Sequence, residues 1–132
     1  MIKIVHSNYY PEITNKLLNS IKETLNSTNE NNSNEIEIIQ VNGVWEIPYI
    51  INKHSDNTKI FIAVGVVIKG ETDHYEYISS SVTNALMNIT IKKNIYIANC
   101  ILNVLNIEQA EKRSVSKGIE AAEAVLNIID IS

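Results

Sequence analysis

Apolar residues fall into two alternating kinds of run along the chain. Ile2–His6, Glu35–Val41, Lys59–Ile68 and Ile95–Leu102 are short, rich in β-branched residues and close to continuous, which predicts four strands. Between and after them, apolar residues recur three and four positions apart. Ile13, Leu17, Leu18, Ile21 and Leu25 form one such stripe, and Pro11 suits the first turn of the helix that carries it, about Pro11 to Asn26. Ser27 to Asn34 is polar, rich in Asn and without period, so it reads as a solvated connection. A short helix starts within Val44-Trp45-Glu46-Ile47-Pro48, since Pro48 is tolerated only in a first turn. Asp73 with Glu76 makes a capping box for a third helix, whose stripe is Ile78, Val82, Ala85, Leu86 and Ile89. Asn103–Asn106 turns into a helical Ile107–Arg113. After a short break, Lys117–Ile129 forms a last helix on Ile119, Ala122, Val125, Leu126 and Ile129.

Strands that are apolar on both faces belong in a parallel sheet with helices on each side. The expected fold class is therefore α/β: a three-layer αβα sandwich with a four-stranded parallel sheet, flavodoxin-like in layout, with residues 1–132 as a single domain. A hydrophobic content of 45% and a charged content of 20% suit a globular chain of this kind. The net charge of -4 argues against nucleic acid as a partner. No apolar stretch reaches membrane-spanning length, and Met1–His6 reads as a strand instead of a leader, so no membrane partner and a cytoplasmic location are expected. Cys100 is the single cysteine; it has no internal disulfide partner and sits in an apolar run, as a core residue does. Ten lysines stand against one arginine, which marks Arg113 as a candidate for a position where only a planar fork of donors serves.

In such a sheet, ligands bind outside the carboxyl ends of the strands. Those ends bring Ser7–Tyr10, Asn42–Glu46, Lys69–His74 and Asn99–Asn103 to one rim, a mixed crevice suited to a flat, polar small molecule. His74 follows a glycine turn at a strand's end, and an imidazole accepts and returns protons near neutral pH. Gly70, Glu71 and Thr72 can offer backbone N–H groups and a hydroxyl to a phosphate at a helix start. Arg113 would add its fork of donors to the same anion, from this subunit or a neighbour, with Lys117 alongside. The rings of Tyr9 and Trp45 can stack on a heterocycle, and Glu46 can accept hydrogen bonds from ligand hydroxyls. His6 and His54 lack such settings and read as structural.

Three blocks, Val41-Asn-Gly-Val-Trp-Glu-Ile-Pro48, Gly65-Val-Val-Ile-Lys-Gly-Glu-Thr-Asp-His-Tyr-Glu-Tyr77 and Asn106-Ile-Glu-Gln-Ala-Glu-Lys-Arg113 with Lys117-Gly-Ile-Glu-Ala-Ala-Glu123, closely resemble the lumazine synthase family, in order and in register from first strand to last helix. The resemblance implies condensation of 5-amino-6-(ribitylamino)uracil with 3,4-dihydroxy-2-butanone 4-phosphate to 6,7-dimethyl-8-ribityllumazine, phosphate and water, with no metal or organic cofactor. It implies that Tyr9 stacks on the pyrimidine, that Trp45 and Glu46 with Val44 hold the ribityl chain, and that Val67, Ile68 and Lys69 lie beside the ring. Gly70, Glu71, Thr72 and Arg113 match the phosphate site, His74 the proton-transfer residue, and Lys117 a lysine near the active site. The resemblance further implies homopentamers, or multiples of them, with each pocket shared between subunits. The chain departs from the family at Asn8, where arginine is common, at Tyr10, where a substrate-binding asparagine is usual, and at Asn99, where the neighbour's wall carries phenylalanine. Arg113-Ser-Val-Ser-Lys-Gly118 is also shorter than the family's glycine-rich loop. A scaffold of the same fold that binds a lumazine or flavin without making it is the alternative, and a flavodoxin-like nucleotide-binding module is a third.

Overall fold

Four strands, β1 (Ile2–Ser7), β2 (Ile36–Val41), β3 (Ile60–Ile68) and β4 (Tyr96–Val104), pair in parallel in the order β2-β1-β3-β4. They belong to a computed structural model that describes residues 1–27, 35–71 and 74–132. Four helices connect and cover them: α1 (Pro11–Asn26), α2 (Ile47–His54), α3 (Tyr75–Lys93) and α4 (Ile107–Ile131). The expected three-layer, flavodoxin-like α/β arrangement is what forms.

Alternation along the strands decides the layers. Ile4 sits beside Ile38 and Ile62, and Ile62 beside Ala98. Ile4, Ile62 and Ala98 of this row join one cluster, in which Leu17 and Ile21 of α1 meet Ala122 and Val125 of α4. One residue further on, Val5 and Ala63 face the other cluster, with Ile47 and Ile51 of α2 and Val82 and Leu86 of α3. Phe61 to Ile68 are all buried, as expected of a central strand covered on both sides. The edge strand β2 differs from expectation: none of its residues is fully buried, and Ile38 is exposed.

A charged residue inside this core needs partners. Lys3 is buried in β1, and its Nζ donates to Nδ1 of His54 at 2.9 Å and to Oδ1 of Asn57 at 3.4 Å, with Glu37 Oε1 at 3.7 Å. Because an ammonium only donates, His54 must carry its proton on Nε2. His6 Nδ1 lies 3.0 Å from the Ser7 carbonyl. Both histidines are structural, as their sequence settings implied.

Helix limits follow local chemistry, with two corrections. Pro11 opens α1, and Pro48 lies in the first turn of α2, after a 3₁₀ turn at Val44–Glu46. Asn94 ends α3 in the left-handed region at φ 54°, which asparagine adopts more readily than most residues. At the start of α3, however, the N-cap is His74, and Glu76 instead pairs with Lys69, their charged atoms 3.7 Å apart. Asp73 lies outside the described residues. The larger correction is α4, which runs unbroken where the sequence predicted a gap between Arg113 and Lys117. Asn106 caps it, accepting from Gln109 N at 2.9 Å, while Gln109 Oε1 accepts from Leu105 N at 2.8 Å.

Small residues explain why α4 stays straight through Ser-Val-Ser-Lys-Gly. Ser114 and Gly118 are buried, and Gly118 lies against α1: a Cβ there would overlap Ser20 Oγ and come within 2.8 Å of the Leu17 carbonyl oxygen. Gly118 is a point of close contact between the two helices. Ile119 turns outward, and Gly118, Ala121, Ala122 and Val125 make the buried stripe in its place.

Candidate active site

The carboxyl ends of β1 and β3, with the turn after β2, form a cleft of about 380 Å³. Val66, Val67 and Ile68 make its apolar wall, and Ile78 from α3 joins them. Tyr9 and Tyr10 stand on one side, their rings edge to face with centroids 5.1 Å apart. On the other side the 3₁₀ turn after Gly43 presents Val44, Trp45 and Glu46. Tyr9 is 70% exposed and Trp45 61%, so both rings offer their faces to an incoming molecule instead of filling the core. Of the predicted ring and ribityl contacts, Tyr9, Val44, Trp45, Glu46, Val67 and Ile68 thus meet in one place.

Gly65, by having no side chain, makes room for two residues that line this cleft. A Cβ there would overlap Val44 Cγ1 and lie 2.9 Å from Ser7 Oγ, and both residues line the cleft. Gly65→Ala is therefore expected to displace Val44 and weaken pyrimidine binding. A titration of the pyrimidine amine should show a loss of about 1–2 kcal/mol, the scale of overpacking a close contact.

His74 stands at the start of α3, exposed, with its ring 6.4 Å from that of Tyr77. It is outside the lining of the cleft, although Ile78, one turn further on, is part of it. Lys69 and Gly70 belong to a 3₁₀ turn, Lys69–Glu71, that leads from β3 toward α3, and both are exposed. Thr72 lies outside the described residues.

Arg113 and Lys117 are somewhere else. With Ser116 and Glu120 they form one face of α4, which meets Ile101, Leu102 and Asn103 of β4 in a second cleft of about 320 Å³. No residue lines both clefts. Lys117 Nζ lies 4.0 Å from Glu120 Oε1. Because α4 is continuous, Arg113 and Lys117 project one turn apart from a single helix, where a short break was expected. The polar spacing of Arg113, Ser116, Lys117 and Glu120 is itself a helical face, and this signal was available in the sequence. Val66, Ile78, Ser116 and Glu120 are lining residues that the sequence had not singled out as site residues, while Ser7, Tyr10 and Asn103 had been placed at the rim without a role.

Asn99 lies within β4 opposite Ala63, exposed at the open edge of the sheet and not at the rim where the strand ends were expected to bring it, and it lines neither of these two clefts. Its Oδ1 accepts from the Ile101 N–H at 3.1 Å. Cys100 is buried, and burial pushes its thiol up to about 12, with Lys117 lowering and Glu120 raising it. It stays protonated and unreactive at neutral pH, so a thiol reagent is expected to label it only after denaturation. Among the described residues no group of three or more His, Cys, Asp or Glu is placed to hold a metal ion.

Comparison with known proteins covers both clefts. The family model described as 6,7-dimethyl-8-ribityllumazine synthase matches residues 1–132. A 6,7-dimethyl-8-ribityllumazine synthase of Buchnera aphidicola is 40% identical over 136 aligned positions, covering 98% of this chain and 86% of the relative. The enzyme of that name from Wigglesworthia glossinidia brevipalpis is 39% identical, covering 98% of this chain and 88% of the relative. That of Campylobacter jejuni is 30% identical, covering 99% and 88%.

Proposed function

Because this chain belongs to the 6,7-dimethyl-8-ribityllumazine synthase family, we propose that its two clefts are the two halves of that enzyme's active site, completed between neighbouring subunits. The protein is a transferase of riboflavin biosynthesis. It condenses 5-amino-6-(ribitylamino)uracil with 3,4-dihydroxy-2-butanone 4-phosphate to 6,7-dimethyl-8-ribityllumazine, releasing phosphate and water.

The chemistry assigns work to each half. In the first cleft Tyr9 stacks on the pyrimidine, Val67 and Ile68 press on its edge, and Glu46 beside Trp45 accepts from the ribityl hydroxyls. The ring's amine attacks the ketone, and the carbonyl oxygen leaves as water, giving a Schiff base. Loss of the proton on the neighbouring carbon then expels phosphate and leaves an enol that becomes a ketone; the ribityl-bearing nitrogen attacks this ketone, and its oxygen leaves as a second water as the second ring closes. Each step moves a proton, which His74 takes and returns. The backbone N–H groups of the turn at Gly70 and Glu71, with Thr72, hold the phosphate, and the Arg113 guanidinium stabilises its charge as it departs. No metal or organic cofactor takes part in this scheme.

The observation that carries the reading is the separation itself. The stacking rings and the lone arginine belong to one reaction, yet they line clefts with no residue in common. A second copy reconciles them if its α4 face meets the first copy's rim. Helix α3 supports self-association: from Tyr77 to Ile91 it has no charged residue, only Val82 and Leu86 are buried, and Tyr77, Met87 and Ile91 are exposed on its outer side. An uncharged helix face of this kind is suited to packing against another helix. We assign the assembly to a homopentamer or a multiple of it, working in the cytoplasm. No described helix is long and apolar enough to cross a membrane.

Mixing the purified protein with both substrates tests the reading, with lumazine absorbance and phosphate release followed together. Equal yields of lumazine and phosphate are expected. Tight binding of the lumazine without turnover would favour the scaffold instead.

A further inference from the structure

We propose that Asn103 is a third hydrogen-bond donor for the phosphate-bearing substrate in the second cleft, beside Arg113 and Lys117, and that Ser79 is the residue that positions it. This rests on the reading that the second cleft receives that substrate. Asn103 sits just before the end of β4 and is half-buried. Its Oδ1 accepts from Ser79 Oγ at 2.7 Å, and its Nδ2 faces the Ile101 carbonyl oxygen at 3.4 Å.

These two contacts fix which way the amide points. A carbonyl oxygen only accepts, so the amide nitrogen must lie against Ile101; the opposite flip would set two acceptors face to face. The hydroxyl of Ser79 then donates to the amide oxygen. Nδ2 has two N–H groups, and Ile101 uses one. The other is left for the cleft that Asn103 shares with Arg113, Ser116 and Lys117. An amide donor complements the two cations there. It adds direction where the Lys117 ammonium supplies a point charge already shared with Glu120.

Ser79 lines neither cleft, so it acts only through Asn103. It lies on α3, the helix that begins at His74, and its hydroxyl ties that helix to the strand end beside Arg113. Without it the amide is free to rotate, and the donor loses its aim at the ligand.

The test uses the protein as purified, assayed with both substrates. Ser79→Ala is expected to raise KM for the butanone phosphate about tenfold, the loss of roughly one aimed hydrogen bond. KM for the pyrimidine amine should stay within about twofold, and Ser79→Thr, which keeps the hydroxyl, should restore the wild-type value. Asn103→Asp, which replaces the donor with a negative charge, should raise KM for the phosphate substrate further. Equilibrium dialysis of inorganic phosphate should weaken in the same order. If the wild type does not turn over, the enzymatic reading fails, but phosphate binding still decides the role of Asn103. Equal phosphate binding by wild type, Ser79→Ala and Asn103→Asp would overturn the proposal. So would a rise in both KM values together with a lowered melting temperature, since that pattern belongs to a purely structural bond.

Discussion

Arg113→Lys is expected to cost about 1–3 kcal/mol of transition-state binding, roughly five- to 150-fold in kcat/KM, measured by varying the butanone phosphate. Lysine keeps the charge but replaces a planar fork of donors with a point, and a phosphate loses its paired hydrogen bonds. This chain uses lysine at every other basic position, so retention of a single arginine, on the α4 face of the second cleft, is a specific choice. The effect should grow with charge separation and therefore appear in kcat as well as in KM. An unchanged dependence on the phosphate substrate would remove Arg113 from the site.

His74→Ala is expected to lower kcat about a hundredfold or more while leaving binding of the lumazine nearly intact, because the proposed scheme gives the imidazole proton transfer and it does not line the stacking cleft. His74 is exposed at the start of α3, one turn before Ile78 of the first cleft. Single-turnover measurement separates the chemical step from product release. A change near unity would reduce His74 to a helix-start residue.

Much of this protein is legible in its sequence, because its strands and helices use different apolar periods. The near-continuous run through Phe61–Ile68 announces a strand buried on both faces, and it is the centre of the sheet. The Gly43-Val-Trp-Glu turn and Tyr9 are found at the strand ends where open α/β sheets bind ligands. What misled was local chemistry read without its tertiary partner. Ser114 to Gly118 has weak helix formers and a glycine, yet it stays helical because those small residues let α4 approach α1. Asn99 was placed at the rim because β4 was expected to end at Leu102, whereas it extends to Val104. That shift moves Asn99 into mid-strand and leaves Asn103 near the strand end, where its amide meets Ser79. Pattern along one chain also cannot bring Arg113 to Tyr9, which line different clefts; in the proposed assembly they meet only across neighbouring copies.

A sharp test of that division is complementation between two disabled proteins. His74→Ala leaves the α4 face intact, and Arg113→Ala leaves the first cleft intact, so each variant retains the half that the other lacks. If the site is shared between neighbours, dissociating the two variants, mixing them in equal amounts and reassembling them should restore turnover. With random placement around a ring, about a quarter of the junctions combine two intact halves, so activity should recover to about a quarter of wild type. Activity no greater than the sum of the separate variants would contradict a site built from the first cleft of one subunit and the second cleft of the next.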